Sequence, residues 1–469
     1  MRLFYGIMLL VVLAACTLGP DYKRPDFWSD ADLSSGLMIS GKNYPISVFW
    51  YQAFGDETLN CLIGEVLRNN SDVKIAQSRL RQARHSLNIT EVEYLPMFNA
   101  AGNYNYSYAP KYEELGDKTS YYRLGLDASW ELDIFGGGRR KTESSKALYR
   151  SAADNLNNVL LSMTAETANN YILLKTVQEQ IHIARENLKL QQDILQTVQN
   201  KYKAGMADEA ALNQAEYAVH ETKSLIPDLQ YNEKAYINAI AVLRGKMPEN
   251  NEEFSYTKDN LVTNTFSFDM ERLSEFPLEA VRERPDVKLS ENMLIAKNAE
   301  IGVAIANMFP NISISAALGW QGHLARDWGR SENAAYGYGP TINMPFFHWG
   351  ELINQVKLSK EVKNEYVYTY RKVLLEAIAE IRNSMIAVGR EYEKNDILQK
   401  SADNAEKVLL VMKVKYEQGL IEFGDLLTSE QNLLSAQNNL VLSQSAIYQK
   451  IISFYKAVGG GYYSYGLRR

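Results

Sequence analysis

FPNISISAALGW, residues 309–320, starts with a phenylalanine and a proline and then alternates apolar and polar side chains. In an extended chain Ile312, Ile314, Ala316, Leu318 and Trp320 share one face, and Ser313, Ser315, Gly319 and Gln321 share the other. A following segment sets Tyr336, Tyr338, Ile342 and Met344 against Gly337, Gly339, Thr341 and Asn343. A relative of the first stretch, LPMFNAAGNYNY, stands at 95–106, so the two prolines lie 310 − 96 = 214 positions apart. There Tyr104, Tyr106 and Tyr108 alternate with Asn103, Asn105 and Ser107. The return segment sets Tyr122, Leu124, Leu126, Ala128, Trp130 and Leu132 against Arg123, Asp127, Ser129, Glu131 and Asp133. The pattern predicts four β-strands, over 98–109, 121–133, 311–322 and 335–346.

The same spacing of 214 recurs between Asp72 and Asp286, between Val159-Leu160-Leu161 and Val373-Leu374-Leu375, and between KYKAG at 201 and KYEQG at 415. Around Phe135 and Phe347 it reads 347 − 135 = 212, as if one exposed loop had lost two residues. The chain is a tandem duplication, with repeats at 57–245 and 273–458. Each repeat reads helix, strand, loop, strand, long helix, tight turn, helix. Segments 16–56 and 246–272 and the glycine- and tyrosine-rich tail 459–469 are left for a small mixed region.

Between Arg139 and Tyr202 there is neither proline nor glycine, so a helix of roughly 95 Å is expected at ~1.5 Å per residue. Its counterpart, Glu351 to Tyr416, contains only Gly389. Gly205 and Gly419 fit left-handed C-caps that reverse the chain into helices over 207–244 and 422–457, the first kinked at Pro227. Thr58 to Glu93 reads as one helix stopped by Pro96, and Pro310 stops its counterpart. Helices of this length suit a coiled-coil-like tube or spike.

Strands of about ten residues, apolar on one face and polar on the other, fit an outer-membrane barrel, though amphipathic hairpins on a soluble core share the pattern. Within a membrane, four strands cannot close around a pore, because lipid-exposed edges would leave backbone groups unpaired. Several chains would then share one barrel.

MRLFYGIMLLVVLAAC has one positive residue, an apolar run and small residues before Cys16, which fits a secretory signal over 1–15. LAAC at its end resembles a bacterial lipobox, which implies a covalent lipid on Cys16 as the mature N-terminus. Net charge is −6, and 49 − 56 = −7 without Arg2, which with no basic run argues against a nucleic-acid partner. Cys61 is then the one remaining thiol, so no intrachain disulfide forms.

Catalytic motifs are weak. The histidines His85, His182, His220, His323 and His348 lack metal-ligand spacing. SDVK at 71–74 matches S-x-x-K without companion motifs, and GGGRR at 136 is not a phosphate-binding loop. No cofactor, metal site or enzyme is expected.

GPDYKRP (19–25), FWYQAFGDETLNCLI (49–63), WELDIFG (130–136), RERPDV (282–287), AVGGGY (457–462) and the two tip motifs resemble one family throughout the chain. It is that of the TolC-like outer membrane efflux proteins, the outer-membrane factors of tripartite efflux pumps, in their lipoprotein branch. The resemblance implies an α+β membrane protein and a homotrimer. Each chain would give four strands to a twelve-stranded barrel and its helices to a periplasmic α-barrel, with a mixed equatorial belt. It implies a passive exit duct in the outer membrane that reaches into the periplasm. Outer-membrane lipid, a periplasmic adaptor and an inner-membrane transporter of the RND type would be its partners. Drug efflux, metal-ion efflux and type I secretion remain open as cargo routes, and a non-channel coiled-coil lipoprotein is the contrasting class.

By the same resemblance the periplasmic tip holds the gate. After the second tip glycine the family has LDVLDAQ-like residues, where this chain has GDLLTSE at 424–430. Asp425 matches the first acidic position, Thr428 stands at the second, and Gly424 replaces a leucine. Three Asp425 carboxylates at ~7 Å and an effective dielectric of ~20 would repel by about 2 kcal/mol per pair and favour cations. Glu422 precedes this helix, and Asp208 and Glu209 stand at the first tip, to cap it or meet the adaptor. Tyr202 and Tyr416 are expected to pack, with Lys201 and Lys415 near helix C-termini. Pro96, Pro310, Phe135 and Phe347 mark the strand-to-helix junctions.

Overall fold

The computed structural model describes residues 17–27, 49–108, 118–248, 254, 256, 261–263, 281–323, 326 and 329–461. The expected signal peptide 1–15, Cys16, much of segments 16–56 and 246–272, and the tail from 462 lie outside the described residues. After a 3-10 turn at Trp50–Phe54 the elements are α1 (Glu57–Asn69), α2 (Ser71–Val92), β1 (Met97–Tyr108), β2 (Lys118–Leu132), α3 (Gly137–Lys203) and α4 (Glu209–Leu243). The second repeat supplies α5 (Pro285–Ala306), β3 (Asn311–Gly322), β4 (Ala334–Asn343), α6 (Glu351–Glu417) and α7 (Phe423–Ala457). No described helix is long and apolar enough to cross a membrane.

The single helix expected over 58–93 is two helices. Asn70 is buried and extended (φ −57°, ψ 137°). Its side-chain oxygen accepts from the amides of Asp72 (2.8 Å) and Val73 (3.3 Å), capping α2, while its amide donates to the Leu243 carbonyl at 2.9 Å. Periodicity misses this break because no proline marks it. In the second repeat Pro285 opens α5, where its missing N–H costs nothing. α4 runs through Pro227 without interruption.

The spacing of 214 holds without insertion. It separates the starts of α2 and α5 (285 − 71), β1 and β3 (311 − 97), α3 and α6 (351 − 137), and α4 and α7 (423 − 209). It also holds across the junction: Gly136 and Gly350 both take left-handed φ, at 78° and 80°. The structural counterpart of Phe135 is therefore Trp349, not Phe347, and no loop has lost two residues. The sequence comparison aligned like with like and missed that a tryptophan fills the phenylalanine's place. Phe347 instead meets the Trp349 ring edge-on at 4.6 Å.

By its contacts the chain divides into two units, and each repeat contributes to both. One comprises 1–26, 79–153 and 289–371 and holds the four-stranded antiparallel sheet in the order β1-β2-β3-β4. In it the segment from Thr17 lies along the helices. Buried Arg140 donates to the Leu18 and Gly19 carbonyls and pairs with Asp21 at 2.7 Å, and Arg24 forks onto Glu291 at 2.6 and 3.0 Å. The other unit comprises 27–78, 154–288 and 372–469. Trp50 stacks on Tyr455, Phe54 meets Tyr448 edge-on, and Asp56 caps α1 while accepting from the Tyr171 hydroxyl at 2.8 Å. The FWYQAFGDETLN motif is thus the core that seats α1.

Replacing Asn70 with alanine removes a buried cap and orphans the Leu243 carbonyl. It is expected to cost about 2 kcal/mol, read as an earlier denaturation midpoint by circular dichroism. An unchanged midpoint for the alanine variant would refute this role.

Candidate functional site

The strand register tests the two-faced reading directly. Leu126 lies opposite Leu318, Ala128 opposite Ala316, Trp130 opposite Ile314 and Leu132 opposite Ile312. Ile312 is opposite Ile342, and Tyr104 opposite Tyr122 with ring centroids 4.5 Å apart. Every pairing joins like faces, so the sheet has one continuous apolar side. Its polar side carries the Asn103–Arg123, Ser129–Ser315 and Ser313–Thr341 pairs, and Arg123 is salt-bridged to Asp127. The apolar side is exposed, with Phe98, Leu126, Leu318 and Ile342 all largely open. An exposed apolar face this broad belongs against lipid, and the polar face then lines water. Among the described residues, the outer edges of β1 and β4 have no strand partner.

At the C-terminal ends of α3 and α6 both tips close as expected. Gly205 (φ 73°) and Gly419 (φ 72°) are left-handed. The Met206 amide returns to the Lys201 carbonyl at 2.8 Å and the Leu420 amide to the Lys415 carbonyl at 2.9 Å, each completing a Schellman closure. Asp208 caps α4, accepting from the Ala211 amide at 2.8 Å, and Glu209 follows in the first turn. Glu422 sits at the α7 N-cap without a side-chain bond. Asp425 and Thr428 are exposed, and the Thr428 hydroxyl donates to the Gly424 carbonyl at 2.8 Å.

The paired KY motifs divide roles. Lys201 donates to the Tyr416 carbonyl at 2.8 Å and sits 4.1 Å from that ring's centroid, tying one tip to the other. Tyr416 is buried against Phe423. Tyr202, expected to pack, is instead exposed. Lys415 is exposed as well.

Glu430 escaped the sequence reading. It stands in phase with Phe423, Leu426 and Leu433 on the buried stripe of α7, next to the apolar cluster with Ile194, Val198 and Leu409. Only 3% of it is exposed, and its Oε1 has no hydrogen-bond partner. Burial lifts its carboxyl from an ordinary 4.5 to about 7, with the nearby Lys413 charge opposing. An acid at a core position of a helical stripe was the available signal. Among the described residues, no group of three or more His, Cys, Asp or Glu side chains is placed to hold a metal ion.

The chain matches the family described as outer membrane efflux protein twice, over residues 62–246 and 277–460. It is 26% identical over 459 residues to nodulation protein T of Rhizobium leguminosarum bv. trifolii, covering 96% of both chains. It is 24% identical over 457 residues to the cation efflux system protein CusC of Escherichia coli O6:H1, covering 96% of this chain and 97% of that one. Among solved structures, the outer-membrane channel OprN superposes with a TM-score of 0.86 at 28% identity, over 96% of this chain and 100% of that one.

Because the Glu430 carboxyl is raised in the folded chain, its contribution is complete below pH about 4.5 and is lost as pH rises through about 7. The loss amounts to at most about 3 kcal/mol. Amide exchange over 405–433, corrected for intrinsic rates, is expected to lose protection across that window, and Glu430→Gln to flatten the dependence. An equal pH slope in the variant would contradict the assignment.

Proposed function

The chain belongs to the outer membrane efflux protein family, and we propose that three copies of it close a single barrel around a passive exit duct. Family and fold are those of outer membrane channels that extend into the periplasm. The observation that carries the reading is the sheet: four strands with a lipid-type face, a water-type face and two open edges. Such a sheet is stable in a bilayer only when other strands complete it.

The finer parts of the reading follow from chemistry. A covalent lipid on Cys16 would tether the N-terminus to outer-membrane lipid, one residue before the Thr17 that packs against Gly136, just ahead of α3. The duct itself holds no energy source. A periplasmic adaptor meeting the tips, and an RND-type transporter in the inner membrane, would supply and drive the cargo. The exposed Asp425 carboxylates, three to an aperture, would form an acidic ring beside Thr428 that favours cations. Cargo identity rests with the transporter, since a water-lined duct selects by width and charge alone. We infer that drugs and other xenobiotics are the cargo. No cofactor enters this mechanism.

In planar bilayers the purified protein is expected to give discrete conductance steps with a preference for cations, and Asp425→Ala to reduce that preference. A protein that forms no steps supports a non-conducting lipoprotein instead. Equal conductance and selectivity in the variant would remove Asp425 from the aperture.

A further inference from the structure

α3 and α7 run antiparallel and are stitched by polar layers. The Thr176 hydroxyl donates to Ser445 at 2.6 Å, and the Asn187 amide to Gln437 Oε1 at 3.2 Å. Toward the tip the layers give way to apolar packing, where Ile194 and Val198 of α3 are buried with Leu409 of α6 and Leu426 and Leu433 of α7. Glu430 stands on that same stripe of α7, 3% exposed, with its Oε1 unpartnered. On α3 the side-chain oxygen of buried Gln191 is unpartnered too, and the antiparallel register of the two bonds brings it level with residues 430–433. Two buried acceptors left open favour a carboxyl that carries its proton.

The surroundings do little to oppose this. α3 and α4 present apolar side chains to the cluster, Ile194, Val198 and Ala215 among them. α6 presents the Tyr416 phenol, which burial raises and so keeps neutral, and the charge of Lys413. Lys413 favours the ionised carboxyl, but burial outweighs it. Lys201 is engaged with the Tyr416 carbonyl. In the LDVLDAQ-like run the last residue is a neutral glutamine, where GDLLTSE of this chain ends in the acid.

Glu430 is coupled to the tip through its own helix. Asp425 lies five residues earlier on α7, ~7–8 Å back along the axis and roughly 140° around it. An ionised Glu430 reaches water only if the first turns of α7 leave α3 and α6, and the exposed Asp425 and Thr428 ride on those turns. The start of α7 is lightly held, since Glu422 makes no side-chain cap bond and Gly424 has open space where a side chain would stand. The end of α6, by contrast, is fixed to α3 by the Lys201–Tyr416 tie, which leaves α7 as the element that yields. Resting on the reading of Asp425 as an aperture residue, we propose that Glu430 is a positioning residue of that aperture and its proton the latch. With the carboxyl neutral, α7 packs and the tip stays shut; with it ionised, α7 loosens and the tip opens. Acid therefore seals the duct, and the seal is lost as pH rises through about 7.

Planar-bilayer recording of the full chain tests it, with the pH on the tip side stepped from about 5.5 to about 8.5, either side of the Glu430 transition. The open fraction of the wild type is expected to rise about tenfold across that range. Glu430→Gln keeps the shape but cannot ionise, and is expected to hold the acidic level throughout. Lys413→Gln removes the charge that favours ionisation, and is expected to move the midpoint to higher pH. Cation preference, read in the same recordings, reports on Asp425 separately. Equal pH steps in wild type and Glu430→Gln, or a midpoint that Lys413→Gln leaves in place, overturns the latch and leaves the duct standing. A wild type that conducts equally at every pH does the same. Absence of conductance steps at every pH overturns the duct and the latch together.

Discussion

An unpaired backbone amide or carbonyl has no water to turn to in the hydrocarbon of a bilayer, and each one left open there costs several kcal/mol. The sheet of this chain has two such edges, β1 and β4, ten to twelve residues long. Its apolar side is built for lipid and its polar side for water, so the edges lie between them at membrane depth. A helix satisfies its own backbone, but no described helix here is long and apolar enough to span. The chain is thus committed to a membrane fold that it cannot finish alone, and the assembly is a consequence of hydrogen-bond accounting. The channel follows from the same constraint, because a closed sheet with a polar interior encloses water.

Duplication is an economical route to such closure. Repeats with one common geometry need one solution to the boundary problem, used inside the chain and again between chains. The long helices differ in the same sense: Leu161, Ile172 and Ile194 of α3 are buried, while Leu375, Ile386 and Val408 at their places on α6 are exposed. Exposed apolar residues that would look like liabilities in a soluble monomer become the unmatched half of an interface already visible elsewhere in the molecule. The tip shows the contrast at the scale of two residues: Tyr416 is buried with its lysine on it, and Tyr202 is exposed.

Much of this was legible in the sequence, because the strands alternate cleanly and the prolines and glycines mark real boundaries. The four strands, the left-handed tips at Gly205 and Gly419, and the long proline-free helices follow from local chemistry, although β2 begins at Lys118 rather than 121 and β4 ends at Asn343, leaving Met344 outside it. What escaped depended on contacts rather than pattern. Asn70 breaks a helix through a buried bond to Leu243, which lies 173 residues away. Trp349 takes the place of Phe135 because backbone conformation is repeated where residue identity is not. Glu430 was hidden by its charge, since an acid on an apolar stripe reads as surface until its neighbours are placed. Asp425, Thr428 and Glu422 were found by resemblance, and a single chain positions them on the tip without bringing their counterparts together.

The shared wall is tested most directly by the mass of the intact particle released from membranes in mild detergent, measured by native mass spectrometry. Three copies of the polypeptide per particle is the result this account requires. A single copy, particularly one that stays soluble once detergent is removed, would mean that the sheet finds its partners within one chain, and the account would be wrong.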